Sequence, residues 1–261
     1  MQIEQQLIDG LCRLTLEAGA ATLPYWRSAT SVMRKADDSP LTQADLSANR
    51  IILAGLAQLT PDIPVISEES CDIELARRQQ WQRWWLVDPL DGTKEFIAGS
   101  EEFTVNLALL ELGQVVFGVV GVPARGLLYY GGKNIGAWRR QGQLVEEIRV
   151  VPAQNPLRVV ASKRHSSAEQ EQLLVRLREQ TAITLVNAGS SLKFCWLAEG
   201  RADYYPRLAP TSQWDTAAAQ AVLEGAGGQV LDRKGERLGY PARADYLNPS
   251  FYAFGRDRTW K

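Results

Sequence analysis

A run of large apolar residues, Trp84-Trp85-Leu86-Val87, stops abruptly at Asp88-Pro89-Leu90-Asp91-Gly92-Thr93. Consecutive apolar residues closed off by turn residues suit a strand buried on both faces. The change to two carboxylates, a proline and a glycine marks the mouth of a sheet beside the start of a helix. Such a corner suits hard cations and a phosphate together. Carboxylate oxygens are the ligands Mg²⁺ prefers, and a helix N-terminus turns free backbone N–H groups toward an anion. Gly92, lacking a side chain, lets its amide approach a phosphate. Pro89 fixes the turn so that the Leu90 carbonyl faces out as one more oxygen ligand.

Composition narrows the chemistry further. A chain of 261 residues makes one large domain or two smaller ones. Its 29 Lys and Arg against 30 Asp and Glu leave a net charge of -1, so it has no basic field for general nucleic-acid binding. One histidine, His165, excludes a His-Glu-x-x-His zinc site, and any Ser-His-Asp triad has to be built on it. For an enzyme, this favours carboxylates and bound metal as the tools. Cys12, Cys71 and Cys195 are odd in number and far apart, which argues against a disulfide framework or a Cys-x-x-Cys site and fits a reducing cytoplasm. No stretch approaches the roughly 20 apolar residues of a membrane span, and the N-terminus does not read as a signal peptide. Gly132-Lys133-Asn134 lacks the flanking residues of a P-loop.

Along the chain, Leu7, Leu11, Leu14 and Ala18 predict an amphipathic helix between Ile3 and about Trp26. Thr42 and Asp45 have capping-box spacing at the head of a second helix that carries Ile52, Leu53, Leu56 and Leu59. Residues 63–66 read as a short strand running into Ser67-Glu68-Glu69, and 71–83 as a helix or surface loop. Strands are predicted at 84–87, 104–110, 115–122, 126–130 and 135–140. A seam falls near Val150–Pro156. After it come a strand at 157–161, helices at 168–179, 190–198 and 216–224, and extended segments at 184–187 and 203–205. This pattern predicts an α+β first domain over 1–155 and an α/β second domain over 156–261.

Four acidic residues stand at a strand end or a helix start: Glu68, Asp88, Asp91 and Asp215. Each alone reads as a cap or solvated surface, but together they are what a two-metal phosphatase site needs. Glu68-Glu69, Asp88-Pro-Leu-Asp-Gly-Thr93 and Trp214-Asp215-Thr216-Ala217-Ala218 resemble the signatures of the inositol monophosphatase superfamily of lithium-sensitive, magnesium-dependent phosphatases. Leu86 to Phe96 is similar in wording to the bacterial 3′(2′),5′-bisphosphate nucleotidases. So are Lys35-Ala-Asp-Asp-Ser-Pro40, Gly189-Ser-Ser-Leu-Lys-Phe-Cys195 and Tyr205-Pro-Arg207. The resemblance runs from about residue 5 to the C-terminus.

The resemblance implies a layered αβαβα sandwich with a six-stranded antiparallel sheet in the first domain, and a site at the domain junction. It implies two or three Mg²⁺ ions. Glu68, Asp88 and the Leu90 carbonyl would hold the first, and Asp88, Asp91 and Asp215 the second. Two such cations about 3.5–4 Å apart clamp the attacking and leaving oxygens of an in-line displacement. Thr93 and Asp45 match the pair that orients and deprotonates the attacking water, which moves Asp45 from cap to catalyst. The Gly92 and Thr93 amides would bind the scissile phosphate, alongside the metal-site residues Glu68, Leu90, Asp91 and Asp215. Glu69 reads either as a water-mediated helper or as surface.

His165, Ser190, Lys193 and Arg207 match residues that contact the second phosphate, ribose or base of a bisphosphate nucleotide. Lys and Arg suit a second dianion. The loop Ser162-Lys163-Arg164-His165 is more basic than the form associated with these nucleotidases. The implied reaction is removal of the 3′-phosphate of adenosine 3′,5′-bisphosphate, with 3′-phosphoadenylyl sulfate as a further substrate, in the recycling of a sulfate-assimilation by-product. The implied location is the cytoplasm, with peripheral association at the inner membrane's cytoplasmic face. The rival readings are an inositol or sugar monophosphate phosphatase, a metal- and nucleotide-binding protein without catalysis and, weakest, a nucleic-acid binder.

Overall fold

The apolar stripe of the first helix folds as expected: α1 (Gln5–Thr22) buries Ile8, Leu11, Leu14 and Ala18. The computed structural model describes residues 3–28, 33–34, 40–161 and 168–256. The short strands β1 (Met33–Arg34) and β2 (Pro40–Leu41) pair antiparallel, and Thr42 then caps α2 (Gln43–Leu59). Next come β3 (Val65–Ser67), α3 (Leu75–Arg78) within the charged stretch, β4 (Arg83–Asp91) and α4 (Thr93–Ile97). A meander follows: β5 (Thr104–Glu111), β6 (Gln114–Val122), β7 (Leu127–Gly132), β8 (Gly136–Gln141) and β9 (Leu144–Glu147). The remainder alternates: β10 (Leu157–Ala161), α5 (Ala168–Gln180), β11 (Ile183–Asn187), α6 (Leu192–Ala198), β12 (Tyr204–Arg207), α7 (Ala217–Gly225), β13 (Gln229–Asp232) and β14 (Phe251–Phe254).

Strands β3 to β9 form one sheet in sequence order. It has seven strands, not the expected six, and it is not purely antiparallel, because β3 runs parallel to β4. The stretch from Glu68 to Gln82, with α3 inside it, is long enough for the crossover that a parallel pair requires. Strand β9 reads Leu-Val-Glu-Glu and is exposed throughout, so no apolar alternation announced it. The second sheet, β11-β10-β12-β14-β13, is also mixed: β10 is parallel to β11 and β12, while β14 is antiparallel to β12 and β13.

Side-chain alternation along the first sheet feeds two cores. Trp85, Val87, Val105, Leu107, Leu109, Phe117, Val119 and Leu128 pack with α1 and α2. Their neighbours Trp84, Leu86, Ala108, Leu110, Val120 and Tyr129 pack with α6, α7 and one face of the second sheet. The other face of that sheet, through Leu157, Val159, Tyr204 and Phe254, meets Leu173, Leu174 and Leu177 of α5. The order of layers is therefore helix, sheet, helix, sheet, helix, the predicted αβαβα sandwich. Gly118 lets α7 lie against β6: a Cβ there would stand 2.1 Å from the Ala218 carbonyl oxygen.

Candidate active site

Residues three apart on a regular strand point to opposite faces, so Asp88 and Asp91 would diverge if β4 were regular. It is not. Asp88 pairs with Asn106 and Asp91 with Thr104, so three steps on β4 oppose two on β5. This β-bulge adds one residue and turns both carboxylates to the same side. Pro89 sits inside the bulge, where a missing N–H costs no ladder bond. The strand therefore runs through Asp88 to Asp91 instead of closing at Val87, as the sequence pattern predicts.

The parallel strand β3 supplies the third acidic group. Ser67 pairs with Val87 and the Glu68 N–H donates to the Val87 carbonyl at 3.1 Å, which sets Glu68 level with Asp88. Asp215 arrives from the other half of the chain in a 3₁₀ turn, Gln213–Asp215, that leads into α7. Asp88, Asp91 and Asp215 have carboxylate oxygens within 4.8 Å of one another. Glu68, Leu90, Gly92 and Thr93 line the same cavity of about 270 Å³. All five sequence-predicted metal ligands are thus brought together.

Crowding these groups has an electrostatic consequence. Burial, reinforced by Glu68, Asp91 and Asp215, holds the Asp88 carboxyl well above the usual carboxylate range. Asp215 is raised in the same way, by burial and then by Asp91 and Glu68. Burial pushes Asp91 up to about 6, against the opposing pull of Lys193 and a hydrogen bond from the Ser191 N–H. Buried carboxylates that repel one another are stabilised by a shared cation. An all-oxygen donor set of this kind fits a hard divalent ion.

Asp45 serves as both cap and site residue. It is 2% exposed, and its Oδ2 accepts from the Thr42 N–H at 2.8 Å and the Thr42 hydroxyl at 2.6 Å, completing the capping box. The other oxygen, Oδ1, lies 3.4 Å from Thr93 Oγ1, which is also 3.3 Å from the Leu90 carbonyl. Burial raises the Asp45 pKa against its hydrogen bonds to Thr42. Gly92 caps the five-residue helix α4 with φ 89°. A Cβ there would stand 3.3 Å from both the Glu102 carbonyl oxygen and Ser190 Cβ.

A second cavity, of about 260 Å³, adjoins the acidic one and shares Asp91, Gly92, Glu95 and Asp215 with it. Ser190, Lys193, Tyr205 and Arg207 line its far side. Lys193 is 7% exposed and donates to the Ser190 carbonyl at 2.9 Å. Burial lowers its pKa while Asp91 acts to raise it. Arg207 donates through Nη2 to the Pro210 carbonyl at 3.0 Å. Ser190 Oγ and Arg207 Nε are buried polar atoms with no hydrogen-bond partner among the described residues. Ser190 also has φ 45°, a left-handed conformation that a non-glycine residue adopts at a cost. His165 and the Lys35–Ser39 segment lie outside the described residues.

Sequence reasoning missed the residues that hold Asp91. Its Oδ2 accepts from the Ser191 N–H at 2.5 Å, with the Thr104 hydroxyl at 3.4 Å and Asn106 Nδ2 at 3.5 Å. Ser191 Oγ in turn lies 2.8 Å from both Thr104 Oγ1 and Asn106 Oδ1. The polar Thr104 and Asn106, two apart at the head of a strand that is apolar from Leu107 to Leu110, were the available signal. Cys195 is fully buried, and burial raises its thiol pKa well above the usual value, which suits a small packed side chain.

Residues 4–255 match the model of the inositol monophosphatase family. The 3′(2′),5′-bisphosphate nucleotidase CysQ of Salmonella typhimurium is 46% identical over 94% of this chain and 98% of its own length. The protein of the same name from Escherichia coli K12 is 44% identical over the same shares. Among solved structures, CysQ from Bacteroides thetaiotaomicron superposes with a TM-score of 0.86 at 36% identity, covering 98% of this chain and 99% of that one. An IMPase from Thermotoga maritima gives 0.76 at 26% identity, with 95% and 92% covered. The chain belongs to the inositol monophosphatase family.

Proposed function

We propose that this protein is a Mg²⁺-dependent 3′(2′),5′-bisphosphate nucleotidase. It removes the 3′-phosphate of adenosine 3′,5′-bisphosphate to give AMP and phosphate, and accepts 3′-phosphoadenylyl sulfate through the same group. The observation that carries this reading is the pairing of two cavities through Asp91, Gly92, Glu95 and Asp215. One gathers carboxylates for cations. The other presents Lys193, Arg207 and a Ser190 hydroxyl that has no partner among the described residues to a second anion. The names of the relatives at 44–46% identity point the same way.

Glu68, Asp88, the Leu90 carbonyl, Asp91 and Asp215 would hold two or three Mg²⁺ ions. When bound, these ions supply Lewis-acid polarisation of the phosphate oxygens and lower the pKa of water. The Gly92 and Thr93 amides bind the scissile phosphate. Thr93 Oγ1, held by Asp45 Oδ1, accepts a hydrogen bond from the attacking water and aims its lone pair at phosphorus. Asp45, its pKa raised by burial, takes up the proton as the bond from phosphorus to the 3′-oxygen breaks, and the departing 3′-oxygen takes a proton from solvent water. Lys193 and Arg207 neutralise the second phosphate. The family resemblance adds lithium sensitivity, a role in sulfur metabolism and a cytoplasmic location with peripheral association at the inner membrane. No helix among the described residues is long and apolar enough to cross a membrane.

An inositol or sugar monophosphate would leave Lys193 and Arg207 without a dianion to match. Phosphate release from adenosine 3′,5′-bisphosphate and from inositol 1-phosphate, with Mg²⁺ and with added Li⁺, separates the two. The expected result is strong preference for the bisphosphate and inhibition by Li⁺. Equal rates, or preference for inositol 1-phosphate, overturns the nucleotidase reading. Asp91→Asn is expected to abolish release while preserving the fold, and near-wild-type turnover would remove the carboxylate cluster from the mechanism.

A further inference from the structure

We propose that Asn248 is a positioning residue of the metal centre, fixing Asp215 through the loop that carries it; the proposal rests on the metal-site reading above. Asp88 and Asp91 stand on β4 and Glu68 directly follows β3, so the sheet itself holds three of the acidic groups. Asp215 is not on a strand: it stands in a turn that enters from a loop on one side and leads into α7 on the other. The segment Tyr246–Asn248 runs beside that loop. The Gln213 N–H donates to the Tyr246 carbonyl and the Asn248 N–H to the Thr211 carbonyl, both at 2.8 Å, and Ser212 forms an antiparallel bridge with Leu247.

The side chain of Asn248, 8% exposed, makes the decisive contacts. Its Nδ2 lies 2.7 Å from the Ser212 carbonyl, 3.0 Å from Thr216 Oγ1 and 3.2 Å from Thr211 Oγ1. One amide nitrogen therefore ties residues on both sides of Asp215. Ser212 is also the residue whose N–H donates to Asp215 Oδ2 at 2.9 Å, so a shift of Ser212 carries the carboxylate with it. Oδ1 of Asn248 has no hydrogen-bond partner among the described residues. Among the described residues, the side-chain hydrogen bonds of Asn248 thus all run through its amide nitrogen. Groups that orient metal ligands typically control metal affinity by about 10- to 100-fold.

The test is titration of the metal-free protein with Mg²⁺, followed by thermal shift and by calorimetry, for the wild type, Asn248→Ala, Asn248→Ser and Tyr246→Phe. Asn248→Ala is expected to raise the midpoint Mg²⁺ concentration about tenfold or more, with the nucleotide KM at saturating Mg²⁺ unchanged. Asn248→Ser, which keeps one shorter donor, is expected to fall between. Tyr246→Phe removes a hydrogen bond to the Cys71 carbonyl (2.6 Å) from the same segment without touching the Asp215 loop through that hydroxyl. It is expected to lower the melting temperature alone. An Asn248→Ala protein that melts early yet binds Mg²⁺ at the wild-type midpoint overturns the proposal. If that variant does not fold, Asn248→Ser decides by the same criterion. A wild type with no Mg²⁺-dependent shift overturns the metal-site reading, and this proposal with it.

Discussion

Lys193 shows how much a single side chain's surroundings add to its identity. Its type and its place after Ser190-Ser191-Leu192 suggest a phosphate contact, but the ammonium is also buried near Asp91 and anchored on the Ser190 carbonyl. Two effects of Lys193→Ala follow. KM for the bisphosphate nucleotide is expected to rise about tenfold or more, the scale of a charge-assisted hydrogen bond, while KM for a simple phosphate monoester stays near wild type. Losing the cation also removes the larger of the two pulls that lower the Asp91 pKa, the other being the Ser191 N–H, so in the metal-free protein that pKa is expected to rise, as followed by carboxyl NMR titration. Equal KM changes on both substrates, or an unmoved Asp91 titration, would separate Lys193 from the second phosphate or from Asp91 respectively. Asp45 makes the complementary point. Its capping box with Thr42 and its contact with Thr93 coexist, because a carboxylate has two oxygens and the fold uses each separately.

Individual elements owe their place to features that periodicity does not display. The β4 bulge is one, and Gly118 is another: the strand pattern there reads apolar regardless, yet the residue's lack of a Cβ sets how closely α7 approaches β6. Because that contact is with the backbone of Ala218, no side chain can swing away to relieve it. Gly118→Ala is therefore expected to destabilise the protein by about 1–3 kcal/mol or more, the range of overpacked cores, as read by urea unfolding. It should also weaken Mg²⁺ binding, since Asp215 sits at the head of α7. A variant as stable as wild type would show that α7 is not pinned at this point. The main helices and most strands were legible beforehand because each presents its own apolar face. Strand β9 was not, being exposed and half acidic, and neither was the parallel sense of β3, which depends on the path between Glu68 and Gln82 and not on the strand itself.

At the scale of the whole molecule, the near-zero net charge conceals a local concentration: Glu68, Asp88, Asp91 and Asp215 crowd one cavity, while Lys193 and Arg207 stand among further carboxylates in its neighbour. The metal-free fold is consequently sensitive to pH. Folded Asp91 holds its proton up to about 6, against about 3.9 for an unfolded aspartate, and Asp88 and Asp215 shift in the same direction. A carboxyl raised on folding stabilises the native state below its unfolded pKa and loses that contribution as pH rises through the folded value. Mg²⁺ binds the ionised form, so the gain in melting temperature on adding it is expected to be small near pH 4 and to grow past pH 6. It should reach about 5–10 °C at neutral pH for a ligand well above its Kd. A gain independent of pH would contradict the coupling. The residue order pointed to carboxylate-and-metal chemistry, through an Asp-Pro-Leu-Asp-Gly-Thr run after a buried strand, and to most of the helices and strands through its apolar periods, while their layered arrangement came from the family resemblance. What it left open was how the parts meet. The bulge that turns Asp88 and Asp91 to one side, the Thr104, Asn106 and Ser191 donors around Asp91, and the Asn248 clip on the Asp215 loop all join residues far apart in the chain. Such contacts exist only once the two sheets have packed, because local pattern records which face a residue buries and not which distant group it meets there.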